Sequence, residues 1–289
     1  MLYKNTLQNI SEAIELGTNS LIGYSPTPRL DTEILLAFIL KNNREFLYSN
    51  FEKKVSLEIY KDFINLIEKR RQKYPIAYIT GKKEFFGETY KVTEDVLVPR
   101  PETENLIEII LQNIQTYFID KKKIRILEIG SGSGCIPITL KKLLGEKIII
   151  YSYEISEKAY LLAKTNYKLI NPGNIIFKNI DAFKNIPPLR TFDIIISNPP
   201  YLSKIDMDSL DKDVRFEPEI ALYGGTDGLK YYRKLLGLIN LQLKNNGFAV
   251  FEINENLGKE TAAIFQNKYN CRIIKDYFDK DRFIFISLQ

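Results

Sequence analysis

The sequence predicts an α/β fold: a Rossmann-like domain with a mostly parallel, seven-stranded sheet, preceded by a small helical bundle and a β-hairpin connector. Three observations lead to this prediction. Apolar residues recur at helical spacing in residues 1–73, β patterns surround turn glycines in residues 74–98, and short apolar strands alternate with helical stretches within residues 99–289. We therefore expect three segments with these boundaries.

The first segment, residues 1–73, is predicted to be helical. Its apolar residues fall on three periodic faces, formed by Leu7, Ile10 and Ile14, by Ile34, Leu35, Phe38 and Ile39, and by Ile59, Phe63, Leu66 and Ile67. Such spacing places the apolar side chains on one side of each helix. Pro28 suits the start of the second helix, because the N–H that proline lacks would be unpaired there in any case.

The second segment, residues 74–98, is predicted to be a hairpin-like connector. Tyr74-Pro75 interrupts the helical pattern, because the residue before a proline avoids the helical conformation. The β patterns that follow occupy residues 77–79, 85–86, 90–92 and 96–98. Gly81 and Gly87 supply turns between them.

The third segment, residues 99–289, begins with a helix at Pro101 and continues as alternating strands and helices. Strands are predicted at 124–129, 148–153, 175–177, 192–197, 248–253, 272–275 and 283–288. Alternation of this kind produces a parallel sheet covered by helices on both faces. No helix separates the last two strands, so we expect them to be antiparallel at one edge of the sheet.

Composition limits the chemistry that the chain can perform. Of its 289 residues 45% are apolar, enough to bury a sizeable core, and none is histidine, so any reaction must proceed without an imidazole base. The two cysteines, Cys135 and Cys271, fit neither a disulfide framework nor a zinc module, and we expect no metal site and a cytoplasmic location. We expect neither a membrane-spanning helix nor a secretion signal, because no apolar run of the required kind is recognisable.

A glycine-rich loop ends the first strand of the alternating region. It consists of Glu128, Ile129, Gly130, Ser131, Gly132, Ser133 and Gly134, and a helix follows directly. Glycines let the backbone turn tightly and approach a ligand closely. Cys135 stands where the dinucleotide-binding pattern requires glycine, which weakens a pyrophosphate-binding interpretation. The spacing instead resembles the first motif of S-adenosylmethionine-dependent methyltransferases, which implies cofactor contacts from Glu128 and from Gly130 through Gly134.

Acidic residues after the next two strands are candidates for the same ligand. Glu154 ends the second strand of this region, where a carboxylate can accept hydrogen bonds from both ribose hydroxyls. After the third strand, Asp181 is a candidate acceptor for an adenine amino group, while Ala182 and Phe183 are candidates for packing the adenine ring. Parallel strands share one carboxyl edge, so we expect these residues to meet the glycine loop.

The fourth strand runs directly into Asn198-Pro199-Pro200-Tyr201. The prolines fix φ and lack an N–H, which leaves their carbonyls free as acceptors. Asn198 Oδ1 and the Pro199 carbonyl can each accept one N–H of a planar nitrogen, and Tyr201 can stack on its plane. Such a clamp holds the nitrogen toward a methyl donor, but it suits nucleobase amines and the glutamine carboxamide equally well.

Longer segments resemble one family. The resembling stretches are EFFG at 84–87, VLVPRPETE at 96–104, EIGSGSG at 128–134, NPPY at 198–201 and VRFEPEIALYGGTDGL at 214–229. Together they are similar to the HemK/PrmC family, bacterial protein-(glutamine-N5) methyltransferases that modify the GGQ glutamine of class-1 peptide chain release factors. The resemblance implies S-adenosyl-L-methionine as cofactor, a release factor as transient protein substrate, and a substrate-recognition role for the helical domain at 1–73.

The resemblance also assigns roles to matched positions. It implies that Asn198 bridges the cofactor and substrate sites, and that the glutamine amide is held by Asn198, Pro199, Pro200 and Tyr201. Among these, Asn198, Pro199 and Tyr201 are the candidate catalytic residues. Arg100 belongs to a segment that borders the active site in the family, which makes it a candidate for substrate binding. A structural charge that anchors the hairpin is an equally good interpretation of Arg100.

Three alternatives remain open. A related enzyme methylates a glutamine of a large-subunit ribosomal protein. An adenine-N6 DNA methyltransferase would use the same clamp, although we find no segment with the size or basic density of a separate DNA-recognition domain. A binding module that keeps an inactive methyltransferase fold is disfavoured by the intact loop glycines. We expect a monomer that is not associated with membranes and does not bind nucleic acid directly.

Overall fold

The computed structural model describes residues 9–184 and 190–288, and the chain divides into two compact units. The first unit contains the chain up to Gly81 together with Asp211–Phe216, and the second contains the remainder. Leu7, part of the first apolar face in the sequence, lies outside the described residues. Within the described ranges, no helix combines the length and apolar character needed to cross a bilayer.

The first unit is helical. Its helices are α1 (Ile10–Leu21), α2 (Pro28–Ile39), α3 (Arg44–Ser49), α4 (Leu57–Arg71) and α5 (Ile76–Thr80). Pro28 occupies the first position of α2, as predicted. Helix α1 begins with a capping box, in which the Asn9 side chain accepts the Glu12 N–H at 2.8 Å and the Glu12 carboxylate accepts the Asn9 N–H at 3.0 Å. The apolar faces meet in one core around Leu35 and Phe63.

The β pattern predicted at residues 77–79 is wrong, because these residues form part of α5. Gly81 ends this helix with a φ of 68°, a left-handed conformation that glycine adopts without strain. Ile76 and Ile79 pack against the core of the helical unit, and Ala77 is buried. Branched residues favour strands when they fit a pleated surface, but here a single helical turn places them against a helical core.

A buried ion pair joins distant parts of this unit. Arg70, which is 5% exposed, donates from Nε to Asp31 Oδ2 at 2.7 Å and from Nη1 to Asp213 Oδ2 at 2.6 Å. Tyr74 follows Arg70 in the chain and Phe216 follows Asp213. The rings of Tyr74 and Phe216 are also in contact, with centroids 5.0 Å apart. Asp213 and Phe216 come from the segment 211–216, so this unit is built from two separate parts of the sequence.

The second unit begins with an antiparallel hairpin of β1 (Lys82–Phe85) and β2 (Glu88–Lys91). Its main sheet contains β3 (Ile124–Ile129), β4 (Ile148–Glu154), β5 (Ile175–Asn179), β6 (Phe192–Ser197), β7 (Leu243–Glu252), β8 (Tyr269–Lys275) and β9 (Asp281–Leu288). Its helices are α6 (Pro101–Tyr117), α7 (Cys135–Leu144), α8 (Glu157–Ile170), α9 (Lys204–Asp208), α10 (Glu219–Leu222), α11 (Lys230–Gln242) and α12 (Gly258–Phe265).

The main sheet has the order β5-β4-β3-β6-β7-β9-β8. The strands from β5 to β7 are parallel, whereas β9 pairs antiparallel with both β7 and β8. The predicted fold class is therefore confirmed, including its antiparallel edge, the helical N-terminal part and the hairpin.

Both faces of the sheet are buried, and this explains the continuous apolar strands. In β6, Ile194 and Ile196 belong to the cluster that contains Leu106 of α6, whereas Ile195 belongs to the cluster that contains Leu235 of α11. Alternate residues of a strand point to opposite faces, so each face receives apolar side chains. Polar side chains can be accommodated where a strand leaves the buried part of the sheet. The candidate site lies at the carboxyl ends of the parallel strands.

Candidate active site

The carboxyl ends of β3, β4 and β6 lie side by side, and the predicted residues meet there. A cleft at this edge is lined by Arg100, Gly130, Ser131, Gly132, Ser133, Glu154, Asp181, Ala182, Phe183, Asn198, Pro199 and Pro200. Glu128, Gly134 and Tyr201 are not among the described residues that line the cleft. The structure thus brings most of the predicted set together and places three residues outside the lining.

The glycine loop between β3 and α7 borders the cleft with backbone rather than with long side chains. Gly130, Gly132 and Gly134 have φ values of 82°, 53° and 82°. A Cβ on Gly134 would lie 3.3 Å from the Ala163 Cα in α8, so this position is also sterically restricted. The Gly130 N–H donates to the Tyr153 carbonyl at 2.8 Å, which ties the loop to β4.

The Glu154 carboxylate is fixed by backbone donors. Its Oε2 accepts the Gly132 N–H at 3.0 Å and its Oε1 accepts the Ser156 N–H at 2.9 Å. An ionised carboxylate offers about four acceptor positions, so lone pairs remain for ligand hydroxyls. Glu154 is 7% exposed and lines the cleft. These features fit the ribose-binding role that the sequence predicts.

Glu128 lies inside the sheet and supports the loop from there. The Ser152 hydroxyl donates to Glu128 Oε2, and the hydroxyl oxygens of Ser152 and Ser131 are 2.5 Å apart. Burial raises the pKa of Glu128 to about 8, and the charge of Glu154 adds to this, while the Ser152 hydrogen bond opposes it. Glu128 is therefore mostly protonated at neutral pH, and Ser152 and Ser131 connect it to the loop.

The Asp181–Phe183 turn forms another part of the cleft. The Phe183 N–H donates to Asp181 Oδ1 at 2.9 Å, which holds the turn, and Ala182 is buried. Two lining residues of α11 were missed in the sequence analysis, Tyr231 and Lys234. The Tyr231 ring centroid lies 6.2 Å from that of Phe183, and Lys234 Nζ lies 5.1 Å from the Phe183 centroid. The sequence marks these two residues only as part of an amphipathic helix.

The Asn198–Tyr201 clamp follows β6 and is tied to two other elements. Asn198 Nδ2 donates to Thr103 Oγ1 of α6 at 3.4 Å, and the Thr103 hydroxyl donates to Glu252 Oε2 of β7 at 2.8 Å. The Tyr201 hydroxyl donates to Glu252 Oε1 at 3.4 Å. The ring of Tyr201 packs against the apolar cluster beside α11, and its stacking on a substrate stays a prediction.

Thr103 and Glu252 are the residues of this network that sequence reasoning missed. Glu252 follows the apolar run 248–251 at the carboxyl end of a strand, the same kind of position that identified Glu154, so the strand-end rule could have found it. Burial raises the pKa of Glu252 to about 7, opposed by the Thr103 hydrogen bond and by the positive charge of Arg282. Thr103 lies within the segment VLVPRPETE at 96–104, but no strand end marks it individually.

Arg100 forms an ion pair within the second unit, and its role in substrate binding stays a prediction. Its Nη2 donates to Glu217 Oε1 at 2.5 Å, and Glu217 Oε2 accepts the Val98 N–H at 3.4 Å. Glu217 is 7% exposed, and burial raises its pKa although the Arg100 charge opposes this. Arg100 thus anchors the segment before α6 to the segment before α10, and it also lines the cleft.

A glycine turn lies directly against the backbone of the clamp. The Gly224 N–H donates to the Leu202 carbonyl at 2.8 Å. A Cβ on Gly224 would lie 2.7 Å from the Tyr201 Cα and 2.8 Å from the Pro200 carbonyl oxygen. These distances are shorter than real Cβ contacts, so only glycine fits here without moving the clamp.

Comparison with known proteins covers both units. The PrmC N-terminal domain family matches residues 12–81, and the methyltransferase small domain family matches residues 105–212. A Flavobacterium psychrophilum protein named release factor glutamine methyltransferase is 39% identical over 230 residues, covering 78% of this chain and 79% of the relative. A protein of the same name from Bacillus cereus is 33% identical over 262 residues, covering 89% of this chain and 92% of the relative.

One solved structure supports the fold alone. The hMettl16 catalytic domain, solved in complex with MAT2A 3′UTR hairpin 6, matches with a TM-score of 0.54 and 16% identity over 77% of this chain and 82% of that chain. Fold likeness at this identity carries no statement about substrate. The two named relatives share far more of the sequence, over most of both chains. The protein therefore belongs to the release factor glutamine methyltransferase family.

Proposed function

We propose that the protein transfers the methyl group of S-adenosyl-L-methionine to the side-chain amide nitrogen (N5) of the glutamine in the GGQ motif of class-1 peptide chain release factors. One observation carries this proposal. Glu154, which can accept hydrogen bonds from ribose hydroxyls, lines the same cleft as Asn198 and Pro199, which can accept hydrogen bonds from an amide nitrogen. Relatives of this chain are named release factor glutamine methyltransferase. Methyl donor and glutamine amide can then meet within one site.

The cleft has the groups needed to hold the cofactor. The backbone from Gly130 to Ser133 borders it, Glu154 has acceptor positions for two ribose hydroxyls, and Asp181 is an acceptor for the adenine amino group. Phe183 and Tyr231 provide aromatic surface beside Asp181. When bound, S-adenosylmethionine supplies an electrophilic methyl group on a sulfonium, and the thioether S-adenosylhomocysteine leaves.

The clamp is suited to an amide nitrogen, which is a weak nucleophile because its lone pair is delocalised into the carbonyl. We assign the two N–H acceptors to Asn198 Oδ1 and the Pro199 carbonyl. Holding both N–H groups orients the nitrogen toward the methyl carbon and stabilises the positive charge that develops on it. With the cofactor bound, the nitrogen held by Asn198 and Pro199 would accept the methyl group, and its surplus proton would pass to solvent. These steps require no imidazole base, which agrees with the absence of histidine from the amino-acid sequence.

Three further residues belong to this proposal. Pro200 lines the cleft beside Pro199, and Arg100 lines it while paired with Glu217, so we include both in the substrate-binding set. The aromatic face of Tyr201 is proposed to stack on the amide plane. Support for Tyr201 comes from its place directly after the two prolines and from the bond between its hydroxyl and Glu252.

The proposal is tested by mass spectrometry of a release factor after incubation with the enzyme and cofactor. We expect one added methyl group on the GGQ glutamine, and none when that glutamine is changed to alanine or when Asn198→Ala replaces the wild-type enzyme. A ribosomal large-subunit protein and plasmid DNA serve as competing substrates. Preferential methylation of either one, or equal labelling of the GGA release factor, would overturn the assignment.

We also propose that the helical domain at residues 1–73 helps to recognise the release factor, and that the enzyme acts as a monomer without binding nucleic acid directly. The match of residues 12–81 to the PrmC N-terminal domain supports the recognition role, as does the position of the catalytic motifs outside residues 1–73. Size-exclusion chromatography with light scattering tests the monomer. Gel-shift titration with RNA and DNA tests the absence of nucleic-acid binding.

A deletion of residues 1–73 tests the recognition role. We expect kcat/KM to fall on a full-length release factor but to stay near the wild-type value on a short GGQ peptide. Since residues 211–216 belong to the helical unit, the peptide reaction is the control that shows an intact catalytic unit. Unchanged kinetics on the full-length factor would contradict the recognition role.

A further inference from the structure

Glu252 is a buried carboxylate beside the clamp that the proposed chemistry does not use directly. It ends β7, the strand that pairs with β6, in a register that places Ser197 opposite Phe251. Glu252 is 2% exposed and does not line the cleft. Its two oxygens accept hydrogen bonds from Thr103 and Tyr201, and thus from two different elements of the unit.

The direction of these hydrogen bonds has a consequence for Asn198. A threonine hydroxyl has one proton, and Thr103 gives it to Glu252 Oε2 at 2.8 Å. Toward Asn198 the Thr103 oxygen can then only accept, so it must face the NH₂ group, which lies at 3.4 Å. The Asn198 Oδ1 is thereby directed away from Thr103. An ionised carboxylate, which can only accept, thus determines which end of the Asn198 amide is presented to the substrate.

We propose that Glu252 is a positioning residue for methyl transfer, and that it acts through Thr103 to keep the Asn198 Oδ1 directed at the substrate N–H. This inference rests on the proposed function, because it requires Asn198 to hold an amide nitrogen. Thr103 is the relay, and Tyr201 holds the second oxygen of the same carboxylate.

The charged and titratable groups around Glu252 make this arrangement sensitive to pH. Tyr201 donates to its carboxylate, Tyr232 donates from its hydroxyl to the Glu252 backbone carbonyl at 2.8 Å, Arg282 favours the ionised form and Glu102 disfavours it. Burial has the largest effect and raises the pKa to about 7. Protonated Glu252 can donate to Thr103, whose hydroxyl would then donate toward Asn198 and favour the reversed amide. The kcat of methyl transfer should therefore fall as pH decreases through about 7.

Variants of the relay separate positioning from simple stability. Thr103→Val should lower kcat at least tenfold with little change in cofactor Kd, and Thr103→Ser, which keeps the hydroxyl, should restore most of the rate. Thr116→Val is the matched control, because Thr116 lies on the same helix and is exposed. Glu252→Gln should remove the acidic limb of the kcat profile near pH 7, because a glutamine does not titrate. Full activity of Thr103→Val, or an unchanged acidic limb in Glu252→Gln, would overturn the inference.

A second measurement does not depend on turnover. In the wild-type protein, the NMR signals of the Asn198 side-chain NH₂, identified by their loss in Asn198→Asp, should shift between pH 6 and 8 and should stop shifting in Glu252→Gln. Invariant signals in the wild type would overturn the positioning role. Absence of glutamine methylation by the wild-type enzyme, with titrating signals, would overturn the proposed function and leave the Glu252 relay standing.

Discussion

Replacing Glu154 by glutamine tests the assignment of the cofactor site most directly. In the native protein the two carboxylate oxygens accept the N–H groups of Gly132 and Ser156 at 3.0 and 2.9 Å. Glutamine has the same shape but only one acceptor oxygen, so its NH₂ group must face one of these two N–H donors. The Glu154→Gln variant also loses the negative charge that favours hydrogen bonds from ribose hydroxyls.

The size of the effect follows from these contacts. A hydrogen bond to a charged group contributes about 1.5–3 kcal/mol, and at least one such bond to the cofactor is weakened. A free-energy loss of this size raises the cofactor Kd roughly ten- to hundredfold, since 1.4 kcal/mol corresponds to about a factor of ten. The strained contact with the loop N–H adds to the loss.

Isothermal titration calorimetry with S-adenosylmethionine measures this change. Glu157→Gln is the control, because Glu157 is exposed in the first turn of α8 and does not line the cleft. Its Kd should stay within about twofold of the wild-type value. A folded Glu154→Gln protein that binds the cofactor as tightly as the wild type would refute the assignment of Glu154 to the ribose.

Three other predictions concern the surroundings of the cleft. Between about pH 4.5 and 8, Glu128 takes up a proton when the protein folds, so the free energy of unfolding falls as pH rises through this window, by up to about 1.4 kcal/mol per pH unit. The Glu128→Gln variant should flatten this slope when unfolding is measured by urea titration at several pH values. A slope equal to that of the wild type would contradict the raised pKa of Glu128. The Arg100→Met variant should lose about 1–2 kcal/mol of stability, a value discounted for the partial exposure of Arg100. The double variant that also carries Glu217→Gln should recover most of this loss when thermal unfolding is measured. No recovery in the double variant would argue against the ion pair. Gly224→Ala should lower kcat at least tenfold by displacing the clamp, whereas Gly237→Ala, with open space around its Cβ, should leave kcat unchanged.

The fold was predictable from the sequence where a pattern is long and both faces of an element are buried. The strand β6 is apolar throughout because its two faces contact different helical layers, and its helical neighbours repeat with a clear period. Residues 77–79 show the opposite case. A stretch of three residues is too short to show either helical or strand periodicity. The contacts of Ile76 and Ile79 with the helical core determine the conformation of this stretch.

The residues that line the cleft were predictable where they follow the carboxyl end of a strand. Glu154 and Asn198 were found because parallel strands bring their carboxyl ends to one edge. Thr103 and Glu252 are separated by 149 positions in the chain, and neither has a local signature for the hydrogen bond that joins them. Tyr231 lines the cleft only because α11 is placed beside the Asp181–Phe183 turn. Such contacts depend on tertiary packing rather than on neighbouring residues.

The divided helical unit has a consequence for synthesis of the protein. Its helices α1–α5 are translated before the glycine loop and the clamp, but Asp213, which pairs with the buried Arg70, is translated after them. Until Asp213 has been added to the nascent chain, Arg70 has only Asp31 of these two carboxylate partners. The helices α1–α5 therefore reach their native set of contacts only after the glycine loop and the clamp have emerged from the ribosome.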